Sequence, residues 1–271
     1  MQKNATLFWY SQTGHSYACG LKAREVLAAD GWNVTTVPLK KAGPEHFEAQ
    51  ALVFAFPVHN FQVPVTVKRL ISDMAPLASA RPAFAVITYA GAAANTDWLF
   101  RKLLAAKNIR LAGHVLIRCR DSYIPFVKWM PFLNDRNKPD DASFKKVENF
   151  VRERVLNQRP GKRPIFNPIN PLHWIGAASP ANGPKWFLGR RIYNREACVR
   201  CGLCAGLCPS GAITMAGGEI HYDDRLCLGC CGCLNICPAN AWISSWFDPS
   251  VYNKGMHVRD MAKALSGNKD A

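Results

Sequence analysis

The chain has 271 residues, a formal net charge of +15 and eleven cysteines. At roughly 100–200 residues per domain this length predicts two domains, and no apolar run approaches the roughly 18 residues of a membrane helix. The basic residues are scattered without a basic-aromatic motif, which argues against nucleic-acid binding. The first residues lack the apolar segment of a signal peptide, and we expect a cytoplasmic protein.

Apolar strand-length runs alternate with amphipathic helix-length segments over the first 158 residues. The predicted strands cover about 6–10, 33–38, 51–56, 83–89 and 112–118, and the predicted helices cover about 16–29, 64–74, 96–107 and 142–157. Buried strands separated by helices are typical of a parallel sheet covered on both faces. We therefore predict an α/β fold with a doubly wound parallel sheet.

A hydroxyl-rich segment, SQTGHSYACG at residues 11–20, follows the first predicted strand. A strand, such a turn and a helix start together form a phosphate cradle, because free N–H groups and the positive end of the helix dipole point into the turn. The segment has neither Gly-x-Gly-x-x-Gly nor a Walker lysine, which disfavours dinucleotides and nucleoside triphosphates. The alternative is an ordinary helix N-cap at Thr13 or Ser16.

Two later loops have residues suited to a flat ring. They are FPVHNFQVP at 56–64 and TYAGAAANT at 88–96, after the third and fourth predicted strands. In a doubly wound sheet of order 2-1-3-4-5, ligands bind at the carboxyl ends of strands 1 and 3. The three loops together resemble flavodoxin over residues 1–158.

The flavodoxin resemblance implies that this part of the chain binds FMN. By position, the phosphate would be held by Ser11, Gln12, Thr13, Gly14, His15 and Ser16. One side of the isoalloxazine ring would be lined by Pro57, Val58, His59, Asn60 and Phe61, and the other by Thr88, Tyr89, Ala90 and Gly91. His15 stands where the family more commonly has asparagine. We expect His59 and Tyr89 to pack or hydrogen-bond near the ring rather than act as an acid or a base.

Two segments precede the cysteine-rich region. The apolar segment 122–133, SYIPFVKWMPFL, is predicted to fold over the flavin or against the cysteine-rich module, and the alternative is a peripheral membrane or partner-binding patch. Residues 159–195 contain six prolines, seven basic residues and no acidic residue. Prolines at this density exclude a long helix or a central strand, so we interpret the segment as a packed linker.

Nine of the eleven cysteines lie within 198–237, in two copies of the pattern C-x2-C-x2-C-x3-C-P. Thiols crowded in this way in a cytosolic chain indicate metal ligands rather than disulfides. Structural zinc prefers cysteine pairs with a longer spacer, so the tandem repeat favours [4Fe-4S] clusters over zinc. The intervening AITMAGGEIHYDD predicts a hairpin around Gly217 and Gly218.

In the bacterial two-cluster arrangement, three ligands of each cluster come from one copy and the fourth is the cysteine before proline of the other copy. This rule assigns one cluster to Cys198, Cys201, Cys204 and Cys237, and the other to Cys227, Cys230, Cys233 and Cys208. Cys231 is predicted to be uncoordinated, and Cys19 and Cys119 to be ordinary buried thiols. The module resembles bacterial-type ferredoxin with two [4Fe-4S] clusters.

The chain as a whole resembles the flavodoxin–ferredoxin fusion proteins. The predicted parts are a flavodoxin-like domain at 1–158, a linker at 159–195, a small α+β ferredoxin-like domain at 196–246 and a tail at 247–271. The resemblance implies an oxidoreductase or electron transferase that passes electrons between two clusters and FMN. Its basic charge would dock a redox protein such as an acidic ferredoxin or a low-potential enzyme. The alternatives are an FMN-dependent reductase of a small organic substrate, fed by its own clusters, and a redox-responsive regulatory protein with structural clusters.

Overall fold

The computed structural model describes residues 3–130, 135, 137–179, 185–252 and 254–266. Its strands are β1 (Asn4–Trp9), β2 (Asn33–Pro38), β3 (Ala51–Pro57), β4 (Arg81–Tyr89), β5 (Ile109–Arg118), β6 (Arg191–Tyr193), β7 (Ile213–Ala216), β8 (Glu219–Tyr222) and β9 (Trp242–Ser244). Its α-helices are α1 (His15–Ala29), α2 (Val65–Asp73), α3 (Thr96–Ala105), α4 (Ile124–Trp129), α5 (Asp141–Phe150), α6 (Pro171–Ala178), α7 (Leu203–Leu207), α8 (Gly232–Ile236) and α9 (Val258–Ser266).

The first five strands form one parallel sheet in the order β2-β1-β3-β4-β5. Phe8 of β1 is in register with Phe54 of β3, and both rings are buried on the face where α2 and α3 pack. On the opposite face, Gly20 brings α1 against Leu7 and Ala55, where a Cβ would be 2.9 Å from the Ala55 Cβ. The strand order reverses between β1 and β3, and the predicted flavodoxin-like doubly wound sheet is confirmed.

Most elements lie within two residues of their predicted bounds, and two differ by more. β5 begins at Ile109 rather than near 112, because its first residues pair with β4 across a register shift at Ala83 and Phe84. The shift places Leu111 opposite Ala83 and Gly113 opposite Phe84, so Ala112 is an extra residue in the strand. The last predicted helix is also interrupted: α5 ends at Phe150 and continues as a π-helical segment.

Contacts among the described residues divide the chain into two compact units, one from 1–11, 15–119 and 137–178 and the other from 12–14, 120–136 and 179–271. The first unit contains the parallel sheet. The predicted linker is shared, since its part up to 178 belongs to the first unit and the rest to the second. The predicted domain boundaries, which rest on composition, stay a prediction.

The second unit has a small core around Leu234 and Trp242. β7 and β8 form the predicted antiparallel hairpin, with φ of +57° and +79° at Gly217 and Gly218. Helix α4 contributes the buried Ile124 to this core, so the segment 122–130 packs within the second unit, whereas 131–133 lie outside the described residues. Among the described residues, no helix has the length and apolarity needed to cross a membrane.

Candidate cofactor sites

The two cysteine copies adopt the same loop conformation. Arg200 and Gly229 are the third residues of the two copies, and both have positive φ, +55° and +66°. Their N–H groups donate to the sulfur two residues earlier, at Cys198 and Cys227, over 3.4 Å in each case. N–H groups directed at cysteine sulfur stabilise thiolates and are one determinant of cluster potential.

Cys231 occupies the position in the second copy that Gly202 occupies in the first. Both residues have positive φ, +57° and +69°, and each precedes a five-residue helix, α8 or α7. Cys231 is buried, its pKa is raised by burial, and its S–H group donates to the Gly229 carbonyl over 3.6 Å. This environment suits a neutral core thiol, and the prediction that Cys231 is uncoordinated stays a prediction.

The cysteines predicted to hold the second cluster surround one cavity. The lining includes Cys227, Cys230 and Cys233 of the second copy together with Cys208 of the first. Both short helices end at the cysteine before proline, Cys208 or Cys237, with nearly the same backbone angles. Cysteines of both copies therefore meet at this cavity, which Cys204 and Cys231 also line, and the donor set fits a [4Fe-4S] cluster. The division of the ligands between two clusters stays a prediction.

A buried indole faces the cysteines predicted for the first cluster. Burial raises the pKa of Cys204, and the nearby N–H of Trp242 opposes that rise. The Trp242 Nε1 atom is buried and has no hydrogen-bond partner among the described residues. The charges of Cys237 and Cys201 also act on Cys204, so these cysteines lie near one another. An orphaned N–H beside a predicted ligand fits a thiolate at this position.

A buried arginine lies beside the second cluster's cavity. Arg191 lines the cavity together with Cys227, and its side chain is only 6% exposed. Its Nε donates to the Tyr222 hydroxyl over 2.6 Å, and it pairs with Asp224, which also accepts from Tyr222 over 2.6 Å and from Lys185 over 3.1 Å. Sequence reasoning assigned Arg191 only to the basic linker, since nothing in the local pattern distinguishes it from its neighbours.

Ser16 and Thr88, from the first and third predicted loops, lie in direct contact. Helix α1 begins at His15, so Ser16 belongs to its first turn rather than capping it. Its hydroxyl shares a buried 2.7 Å hydrogen bond with the Thr88 hydroxyl at the end of β4. The first turn of α1 contains no acidic residue, and this hydroxyl and N–H donor set fits a phosphate.

The middle of the predicted phosphate loop belongs to the second unit. There the N–H of Met256 donates to the Thr13 carbonyl over 2.8 Å, and Gly14, at φ +90°, has no room for a Cβ beside the Met256 carbonyl. Gln12 packs against Gly232 of the second cysteine copy, where an added Cβ would be 3.3 Å from the Gln12 Cβ. Residues 11–16 are all buried.

The predicted ring loop after β3 is a tight turn. His59 and Gln62 exchange backbone hydrogen bonds of 3.1 and 2.9 Å, and the central Asn60 and Phe61 have φ of +50° and +58°. A positive φ is uncommon for a bulky aromatic residue, and such strain is concentrated at functional sites. Burial lowers the pKa of His59 to about 4, so its imidazole is neutral at pH 7.

The ends of β3, β4 and β5 bring the two ring loops side by side. Pro57 is the last residue of β3, and the N–H of Val58 donates to the Thr88 carbonyl over 2.7 Å. The Tyr89 carbonyl accepts from Cys119 over 2.7 Å, and Ala90 and Gly91 follow β4 directly. Cys19 and Cys119 are both buried, as predicted.

Part of the linker packs on these loops, which the sequence did not predict. Gln62 Nε2 donates to the His173 carbonyl of α6 over 3.2 Å. Gly176 lies so close to the Asn60 carbonyl that a side chain there would collide with it. In the sequence, Gly176 within the proline-rich segment was the sign that another part of the backbone could lie close to this position.

Comparisons with known proteins agree with the geometry of the cysteine loops. Residues 190–238 match the family model described as a 4Fe-4S dicluster domain. The match to the dicluster domain includes both cysteine copies and both short helices, and it favours iron–sulfur chemistry over the zinc alternative.

The solved structures with similar folds include flavodoxins. One from the domain Archaea is 9% identical, with a TM-score of 0.42 over 57% of this chain and 97% of that one. The Streptococcus pneumonia TIGR4 flavodoxin is 12% identical, with a TM-score of 0.44 over 57% of this chain and 99% of its own. A putative quinone reductase from Klebsiella pneumoniae is 14% identical, with a TM-score of 0.41 over 58% and 85%. The fold assignment rests on the strand order, and no curated protein matches the sequence.

Proposed function

We propose that this chain is an electron-transfer protein that holds two [4Fe-4S] clusters and one FMN and passes electrons between them. Clusters exchange single electrons whereas FMN stores one or two, so the cofactors would couple one-electron and two-electron carriers. The observation that carries the proposal is that one chain combines a match to a 4Fe-4S dicluster domain at 190–238 with a doubly wound parallel sheet of order β2-β1-β3-β4-β5.

The proposal gives the described residues distinct roles. Residues 11–16 hold the phosphate, and the loops 57–61 and 88–91 flank the ring. Cys198, Cys201, Cys204 and Cys237 hold one cluster, and Cys227, Cys230, Cys233 and Cys208 hold the other. The N–H groups of Arg200 and Gly229 stabilise the thiolates to which they donate.

An acidic redox protein is our proposed electron donor, and it would dock at the first cysteine copy. Cys201 is exposed there, and the side chains of Arg195 and Arg200 are 68% and 60% exposed. A donor that docks through these charges delivers electrons more slowly as ionic strength rises, because salt screens exposed charges. Stopped-flow reduction by an acidic ferredoxin at low and high salt tests this, and Arg195→Glu with Arg200→Glu should slow it at low salt.

Anaerobic purification with analysis of FMN, iron and acid-labile sulfide tests the cofactor content. We expect one FMN and about eight iron and eight sulfide per chain. The Cys233→Ala variant should lose about half of the iron, whereas the neighbouring Cys231→Ala variant should keep all of it. Iron without FMN would contradict the proposal, and equal iron loss in the two variants would contradict the ligand assignment.

The alternative of an FMN-dependent reductase is tested with the same protein. Electron transfer alone requires a protein acceptor, whereas a reductase oxidises its reduced flavin with a small organic molecule. Reduced holoprotein mixed with a panel of small quinones, nitro compounds and unsaturated acids should reoxidise slowly in each case. Rapid, saturable reoxidation by one of them would favour the reductase.

A further inference from the structure

Large apolar side chains are exposed on the linker segment that packs on the first unit. Ile165 and Ile169 are 84% and 87% exposed, and Trp174 and Ile175 are 54% and 53% exposed. Single exposed apolar residues are normal, but four within eleven residues form an apolar patch, and such patches mark sites of interaction with a protein or a membrane. We call this the 165–175 patch.

The 165–175 patch is anchored to the rest of the first unit. Phe166 packs against Trp98 at 4.5 Å between ring centroids, and its ring lies 6.3 Å from that of Trp174. Asn167 exchanges two hydrogen bonds with Asn95, of 2.9 and 3.1 Å. Phe166 and Asn167 therefore anchor this segment to α3 and its N-terminus, while the isoleucines and Trp174 are exposed.

Two polar donors at the tip of the patch are satisfied locally. The N–H of Ile169 donates to the Asn167 side chain over 3.1 Å, and the Trp174 indole N–H donates to the Pro168 carbonyl over 2.8 Å. A buried polar group costs free energy when it has no hydrogen bond, and these two donors keep theirs away from water. Burial of Ile169 and Trp174 in an apolar medium therefore leaves neither donor unsatisfied.

The chain that flanks the 165–175 patch carries only positive charge. Lys162 and Arg163 are exposed and form no ion pair with any described residue. The sequence from 159 to 195 contains no acidic residue. Exposed aliphatic and tryptophan side chains next to unpaired cations are the composition of proteins that lie on anionic membranes.

We propose that the 165–175 patch binds the surface of an anionic lipid bilayer. The isoleucines and Trp174 would insert between the headgroups, and Lys162 and Arg163 would contact lipid phosphates. A protein partner is less favoured because three of the four exposed residues are isoleucines, whereas protein interfaces are enriched in aromatic residues, methionine and arginine. The proposal is independent of the cofactors and goes beyond the proposed function.

Vesicle flotation of the full-length holoprotein tests this binding. The vesicles are phosphatidylcholine alone, or phosphatidylcholine with about one-third phosphatidylglycerol. We expect binding only to the second kind, a roughly tenfold loss for Ile169→Ser with Trp174→Ser, and a similar loss for Lys162→Glu with Arg163→Glu. Two control variants should bind as the unchanged protein does. Trp246→Ser replaces another exposed tryptophan, and Arg24→Glu with Arg259→Glu makes the same change of charge elsewhere.

Two results would overturn the proposal. Equal losses in the patch variants and their controls would mean that binding follows the net charge of the whole chain. Unchanged vesicle binding in the patch variants, with loss of binding to an acidic redox protein instead, would assign the patch to a protein partner. Circular dichroism of each variant confirms that a loss of binding does not come from unfolding.

Discussion

At the scale of single residues, the cysteine positions are repeated but their surroundings are not. Ile213 and Trp242 occupy the same position after the two copies, yet only Trp242 supplies an N–H beside a predicted ligand. Arg191 lies beside the cavity of the second copy, whereas the arginines near the first are exposed. The two copies of the cysteine pattern are therefore alike in sequence but lie in different electrostatic surroundings.

Arg191 should raise the reduction potential of the cluster held at its cavity, because reduction adds negative charge near a buried cation. For the cluster proposed at this cavity, we expect Arg191→Gln to lower the reduction potential on the order of 50 mV, as measured by an EPR-monitored redox titration. Arg191→Lys keeps the charge and should stay near the original value. A potential that is unchanged in Arg191→Gln would mean that Asp224 already neutralises the arginine.

Gly14 should be much less tolerant of substitution than another glycine of similar backbone angle. Gly31 has φ +79° and open space around its Cα, so Gly31→Ala should cost about 1 kcal/mol from backbone strain alone. Gly14→Ala adds a collision with the Met256 carbonyl and should cost ~2–4 kcal/mol. Urea unfolding measures the free energy of unfolding of both variants. An equal loss of stability in the two would show that the backbone at Met256 moves aside at no cost.

At the scale of elements, the ends of parallel strands bring together loops that are far apart in sequence. The hydroxyls of Ser16 and Thr88 belong to α1 and β4, and their hydrogen bond joins the predicted phosphate loop to a predicted ring loop. The local pattern predicted each loop, because strand, turn and helix signals are local. It could not predict α6, whose place on the loop at Asn60 depends on packing of the linker.

The Ser16–Thr88 hydrogen bond should show measurable coupling in a double-mutant cycle. Ser16→Ala, Thr88→Val and the double variant are compared by urea unfolding without added FMN, and we expect a coupling of about 1 kcal/mol. Thr88→Ser keeps the hydroxyl and should retain most of that coupling. Additive effects would contradict a direct bond between the two side chains.

At the scale of the whole molecule, the two units have apolar cores of different size. The sheet has its own core, with Phe8, Phe54 and Phe100 among its buried residues. The core of the second unit is small, and cysteines such as Cys208 and Cys237 pack against it. Small domains with such a core commonly need metal to fold.

If the proposed clusters are bound, their removal should therefore unfold residues 198–237 and spare the sheet. After treatment with acid and chelator, followed by return to neutral pH, hydrogen exchange should become fast across 198–237 and stay slow in β1, β3 and β4. The holoprotein kept at neutral pH for the same time, without acid or chelator, is the control. Retained protection across 198–237 would show that protein contacts alone hold this domain.

The sequence by itself determined the parallel sheet, the positions of its strands to within a few residues, and the two cysteine loops. These features follow from periodicity and fixed spacing, which depend on neighbours along the chain. Only the tertiary structure decided that Arg191 lies at a cysteine cavity, that α4 packs with the second unit and that Gln12 contacts Gly232. Such placements depend on side-chain packing between distant segments, and no local pattern in the chain records which segments meet.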